Sequence, residues 1–198
     1  MGGYGYSIAL FFHLVSLVAA GAGAALAGYA ALHLRTATSP AEVARWGMMI
    51  GKVVPVFPFA TLGLFASGAY MTQTAWSWST PWIIGGLVGL TMIVLLGSGL
   101  EASRGRALKH EVRANGLSER ARHLLRDPIA WTAKAMTWTL MLGVMFVMVT
   151  KPPAWGCATS LVIASLAGAI MAVPMWRGSP THLTTPNPPA HALGTGTR

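Results

Sequence analysis

The sequence predicts an all-α polytopic membrane bundle, a four-helix core plus a fifth transmembrane helix, and three observations carry that expectation. Five apolar runs, at residues 6–34, 53–73, 81–100, 128–150 and 155–176, are each long enough to cross a hydrocarbon core of about 30 Å as a helix. The chain is 54% hydrophobic and only 10% charged, with a mean hydropathy of +0.55; a soluble domain carries about 25% charge. The basic residues fall between the runs and on alternate sides of them, the pattern that membrane topology imposes. Residues 1–176 therefore form one transmembrane domain with a basic segment at 101–127, and residues 177–198, rich in Pro, Thr and Gly, are expected to be a disordered tail.

The first run holds no Asp, Glu, Lys or Arg, and no basic side chain precedes it. It is too long for the core of a signal peptide, so it is expected to be a retained span. At about 100° per residue, Ser16, Ala20, Gly23, Ala24, Ala27 and Ala31 share a face with His13, while Phe11, Val15, Val18, Ala22, Leu26 and Tyr29 lie opposite. Small residues let neighbouring helices approach, so the imidazole is expected to point into the bundle.

Ser39-Pro40-Ala41-Glu42 reads as a helix start: Ser39 caps, proline fills the first turn and Glu42 closes a capping box. The second helix then starts in the interface with Arg45 and Lys52 and enters the membrane near residue 53. Pro55 and Pro58 remove two backbone donors there, which predicts a kink. Trp76 and Trp78 suit the aromatic belt at a membrane surface. Thr80-Pro81 opens the third span, whose Gly85 and Gly89, followed by Gly97 and Gly99, predict close helix contact.

The segment 101–127 alternates apolar and charged residues at helical spacing with a break at Asn115-Gly116, so helical extensions over the membrane surface are expected. Asp127-Pro128 opens the fourth span. In the fifth, Ser160, Ala164 and Gly168 repeat every fourth residue as a small-residue contact face.

Counting Lys and Arg by side orients the chain. With the N-terminus outside, twelve basic residues lie in the cytosol and only Lys151 outside; Lys134 sits in the fourth span, near enough to its cytosolic end to snorkel. This predicts a multi-pass protein of the bacterial inner membrane, N-terminus outside and C-terminus cytoplasmic, with the lipid bilayer as first partner. The net charge of +9 follows from topology and does not imply nucleic acid, which needs basic residues gathered on one exposed face with stacking or base-reading groups.

The chemistry-bearing residues are few. His13 is an ionisable group inside the membrane, a functional candidate by default, whose bland alternative is an imidazole hydrogen-bonded to a neighbouring helix. Lys134, Trp138, Met141, Met145 and Met148 form one stripe on the fourth span. His13 is expected at a depth similar to Met141 or Met145, a donor pair used for haem iron and for Cu(I). Met148, and Cys157 near the same surface, extend the copper alternative; plain packing is the third reading of these methionines. His33 lies 20 residues beyond His13, near the opposite membrane face, where interfacial solvation is expected. The single cysteine excludes an internal disulfide and a cysteine-cluster metal site. No Walker-A loop, GxSxG or HExxH occurs. Asp and Glu are absent from the spans, all five acids falling on the expected cytosolic side, which argues against a carboxylate-driven pump.

Phe12-His13-Leu14 followed by small residues to Ala20-Gly21, the long basic link after the third span, and Met148-Val149-Thr150-Lys151-Pro152 resemble a bacterial family of predicted integral membrane proteins of unknown function. That family is similar, distantly, to the copper-resistance D proteins and to the HemJ-type protoporphyrinogen oxidases. The resemblance covers residues from about 6 to 152; the Ala20-Gly21 stretch lacks the tryptophan usual there. It implies a haem-binding role for His13, in the manner of the first-helix histidine of the HemJ-type relatives, and a link to copper through the other branch. Three readings stay open: a protein binding haem b through His13 with Met141 or Met145, a copper-handling permease using Met141, Met145, Met148 and Cys157, and a non-enzymatic accessory subunit docking a membrane partner or a second copy. Whether the chain is an enzyme stays open with them.

Overall fold

The computed structural model describes residues 3–177, with side chains through Trp176, so the expected C-terminal tail lies outside the described residues. Among those residues all regular structure is helical, and five helical stretches are long and apolar enough to cross a membrane. The chain is a multi-pass helical membrane protein. Its helices are α1 (Gly3–Arg35), α2 (Pro40–Val53), α3 (Val56–Ala75), α4 (Pro81–Val94), α5 (Ala102–Asn115), α6 (Glu119–Leu125), α7 (Pro128–Thr150) and α8 (Ala154–Arg177), with a π-helical segment, Leu95–Glu101, joining α4 to α5.

The local signals act as their chemistry requires. Ser39 accepts the Glu42 N–H at 3.3 Å while Glu42 Oε2 accepts the Ser39 and Thr38 N–H groups, at 3.4 and 2.8 Å, completing the capping box that starts α2. Proline's missing donor separates α2 from α3 at Val54 and Pro55. Asp127 accepts the Ile129 N–H at 2.9 Å and caps α7. Thr80 precedes α4 as expected, but its hydroxyl makes no capping bond. Gly116, at φ 64°, ends α5 in a backbone conformation that side chains disfavour.

Two groups of helices result. In the first, α1 runs antiparallel to α2 and α3 in one register: His33 stacks on Trp46, Gly23 lies against Phe57, Ser16 against Gly63 and His13 against Gly68. The small-residue face of α1 is the packed one. Its opposite face, with Phe11 62% and Val18 70% exposed, is the surface that lipid would cover.

In the second group α7 packs against α8, α4 and the π segment. Leu140 and Val147, both on α7, are its fully buried large side chains. The fifth transmembrane helix enters this core directly, since Leu161 and Ala164 cluster with Leu140. Glycine makes the approach possible: a Cβ on Gly168 would stand 2.6 Å from Met136 Cα, and one on Gly85 would stand 2.9 Å from Cys157 Cβ. Gly97 and Gly99, expected in the same kind of contact, have nothing within 4 Å of an added Cβ. They lie in the π segment, whose wider turns break the α-helical phase.

Candidate functional site

His13 is half-buried and faces α3, as the small-residue face predicts. Ser67, itself buried, donates its hydroxyl proton to the Gly63 carbonyl at 2.5 Å. A hydroxyl has one proton, so toward His13 Nδ1, 3.0 Å away, Ser67 Oγ accepts. This arrangement favours the tautomer with hydrogen on Nδ1, in which Nε2 of the neutral ring holds a lone pair. The Cε1 and Nδ1 atoms lie beside Gly68, where a Cβ would meet them at 3.5 and 3.7 Å. The contacts of the ring with α3 are thus made through Nδ1 and Cε1.

The methionines do not join it. Met141 Cε lies 3.8 Å from the place of a Cβ on Gly21, which is two turns along α1 from His13, about 12 Å. The expectation that His13 and Met141 share a depth is thus corrected: α1 and α7 pass with Gly21 beside Met141 and Gly28 beside Trp138, which brings the far end of α7 level with His13. Met145 is 40% exposed, and Met148 lies over Gly86 of α4. Met141 and Met148 stand two turns apart on α7, about 10 Å along its axis, and reach different helices. Cys157 is buried against Gly85, its thiol directed at the Pro152 and Pro81 carbonyls at 3.5 and 3.7 Å. Among the described residues no group of three His, Cys, Asp or Glu side chains is placed to hold a metal.

His33 is engaged in an aromatic stack, 4.5 Å from Trp46 with the planes 14° apart, and meets Tyr29 edge-on. The imidazole is thus packed in an aromatic cluster with Tyr29 and Trp46. Lys134 has a partner: its Nζ meets Glu101 Oε2 at 2.5 Å, and Thr137 donates to the other carboxylate oxygen at 3.3 Å.

Sequence reasoning missed that pair, and the π segment explains it. In unbroken α geometry Glu101 falls about 120° around the helix from Gly89, away from α7. The π turns advance less per residue and carry the carboxylate back toward Lys134. A second ion pair, Arg104 with the buried cap Asp127, ties α5 to the start of α7.

At the opposite face of the membrane Trp76 and Trp82 meet edge-on at 5.0 Å, and Lys151 Nζ lies 4.4 and 5.4 Å from their ring centres. Trp78, the second tryptophan expected in the aromatic belt, instead donates its indole N–H to Gln73 at 3.1 Å. No protein-family model, curated protein or solved structure matches the chain.

Proposed function

We propose that this multi-pass membrane protein lies in the bacterial inner membrane, N-terminus outside, and binds haem b through His13. The reading rests on one observation: His13 Nδ1 lies 3.0 Å from Ser67 Oγ, whose own proton is directed at the Gly63 carbonyl, an arrangement that favours the tautomer with hydrogen on Nδ1 and a lone pair on Nε2. Histidines that bind metals are held in this way, their second nitrogen donating to a fixed acceptor that sets tautomer and ring direction. The orientation rests on the charge count, and the choice of haem on the resemblance carried by Phe12-His13-Leu14.

The donor set fits one axial bond. Met141 does not supply the second, because it lies two turns away along α1. Bound haem would supply one-electron chemistry; the chain's own contribution is to orient His13, through Ser67, within a helix interface that restricts water. The copper alternative has no converging donors to favour it, since Met141 and Met148 contact different helices.

The test is a visible spectrum with metal analysis of the full chain, purified from haem-replete cells. A Soret band is expected in the wild type, lost in His13→Ala. In Ser67→Ala, haem affinity should fall about 10- to 100-fold, the usual cost of removing the group that orients a ligating histidine. Absence of a Soret band in wild type, oxidised and reduced, would overturn the proposal. Copper without haem would move the chemistry to the methionine stripe, and absence of both would favour the accessory subunit.

A further inference from the structure

A cavity of about 230 Å³ opens at the basic end of the bundle, where the two helical groups meet. Arg35 and the turn Thr36, Ala37 and Thr38 enter it from the first group; Arg122 and Arg126 enter it from the second. No acidic side chain lines it. Its volume compares with about 30 Å³ per water in the liquid, which leaves room for a small solvated anion.

Each arginine has donors to offer. Arg35 is already oriented: its Nη2 donates to the Met175 carbonyl and its Nη1 to Met175 Sδ, both at 2.6 Å, and its guanidinium lies 5.4 Å from the Trp131 ring centre. That fixes the side chain while leaving Nε and further N–H hydrogens unassigned. Arg122 pairs only with Glu119, at 3.2 Å on an open surface, a contact of little energy that a stronger anion displaces. Among the described residues Arg126 makes no ion pair. The turn's own polar groups are occupied, the Thr36 N–H and hydroxyl on His33 and the Thr38 N–H and hydroxyl on Glu42. The cavity is therefore lined by three arginines and no acidic side chain.

We propose that this cavity binds a phosphate group, bridging the two helical groups. Three arginines line one opening, and their charge and paired N–H donors suit phosphate oxygens. The site stands at the level where such groups are abundant: Trp131, beneath Arg35, and Trp176, next to Met175, mark the headgroup zone of this membrane face. The phosphate belongs to an anionic lipid or to a soluble phosphate ester, and the two are separated by experiment.

The full chain in neutral detergent is titrated in two arms, with phosphatidylglycerol and with inorganic phosphate, and its thermal midpoint is followed by tryptophan fluorescence. Phosphatidylcholine is the lipid control. The variants are Arg122→Gln with Arg126→Gln, against a control pair of equal charge loss, Arg106→Gln with Arg113→Gln, both exposed on α5 and outside the cavity. At least one arm should raise the wild-type midpoint by several degrees. The cavity pair should weaken that ligand at least 10-fold and the control pair less than 2-fold. A response to phosphatidylglycerol alone assigns the lipid, and one to inorganic phosphate assigns the soluble group. No response in either arm, or equal weakening by both pairs, overturns the proposal.

Discussion

Replacing Lys134 by Met should destabilise the protein, and replacing Glu101 by Leu at the same time should restore most of what is lost. The two side chains meet at 2.5 Å and are 24% and 22% exposed, so both charges have shed most of their surroundings. Breaking a fully buried pair by removing one partner costs about 3–5 kcal/mol, because the other charge is left unpaired. With about a quarter of each side chain still accessible, about 2 kcal/mol for each single replacement is expected. Removing both charges exchanges desolvation for packing and should leave the double variant within about 1 kcal/mol of wild type. The cycle then gives an interaction of about 3 kcal/mol. Unfolding in mixed micelles with rising SDS, read from the eight tryptophans, measures it. If the two single effects add to within about 0.5 kcal/mol in the double variant, the pair does not join the π segment to α7 and the account of that segment fails.

The same unfolding assay separates the glycines. Gly168→Ala should cost about 1–3 kcal/mol, since its Cβ would meet Met136 Cα and N, backbone that cannot rotate away, whereas Gly97→Ala, with open space around it, should lack that loss. At the start of α2, the Thr38 and Ser39 N–H groups hold the Glu42 carboxyl below its ordinary value near 4.5. A depressed carboxyl stabilises above the unfolded value and loses its contribution as pH falls through the lower folded value, so amide protection at Thr38 and Ser39 should persist through pH 4.5 and vanish only below it. Glu42→Gln should abolish that pH dependence; hydrogen exchange with a titration at or above the ordinary value would refute it.

Much of the fold was legible because a bilayer imposes few rules. Length and apolarity alone set the five spans, and Ser39 with Glu42 and Asp127 with Pro128 start their helices through local chemistry that needs no tertiary knowledge. The inward face of α1 was legible too, from the spacing of Ser16 and Gly23 around His13, and both meet α3. What stayed hidden depends on axial register and helical phase between distant segments. Ser67 is one hydroxyl among many, and only the offset of α1 against α3 makes it the partner of His13. The depth assigned to Met141 failed for the same reason, because topology fixes the direction in which α7 runs but not how far it slides along α1. The π segment hid Glu101 more thoroughly, since reading it as α-helix turns the carboxylate away from Lys134.

How the two helical groups meet determines which candidate site is exposed to change. Within each group, glycines bring backbones together: Gly63 and Gly68 against α1, Gly85, Gly143 and Gly168 among α4, α7 and α8. Between the groups, contact is made by long side chains laid over glycines, Trp138 on Gly28 and Met141 on Gly21. Lipid supplies little hydrophobic drive for one helix to prefer another, so close packing and polar contacts decide which interfaces hold. The seam of Met141 and Trp138 is the more adaptable of the two kinds, methionine being flexible at three bonds. Its polar anchor is at the basic end, where Arg35 of α1 holds the Met175 carbonyl of α8. A small displacement along this seam therefore alters the spacing of Arg35 from Arg122 and Arg126 while leaving His13 and Ser67 untouched, since those two lie inside the first group. Closing the arginine cavity on a phosphate should tighten the seam without shifting the histidine, so loss of the Soret band in Arg122→Gln with Arg126→Gln would contradict this division of the bundle.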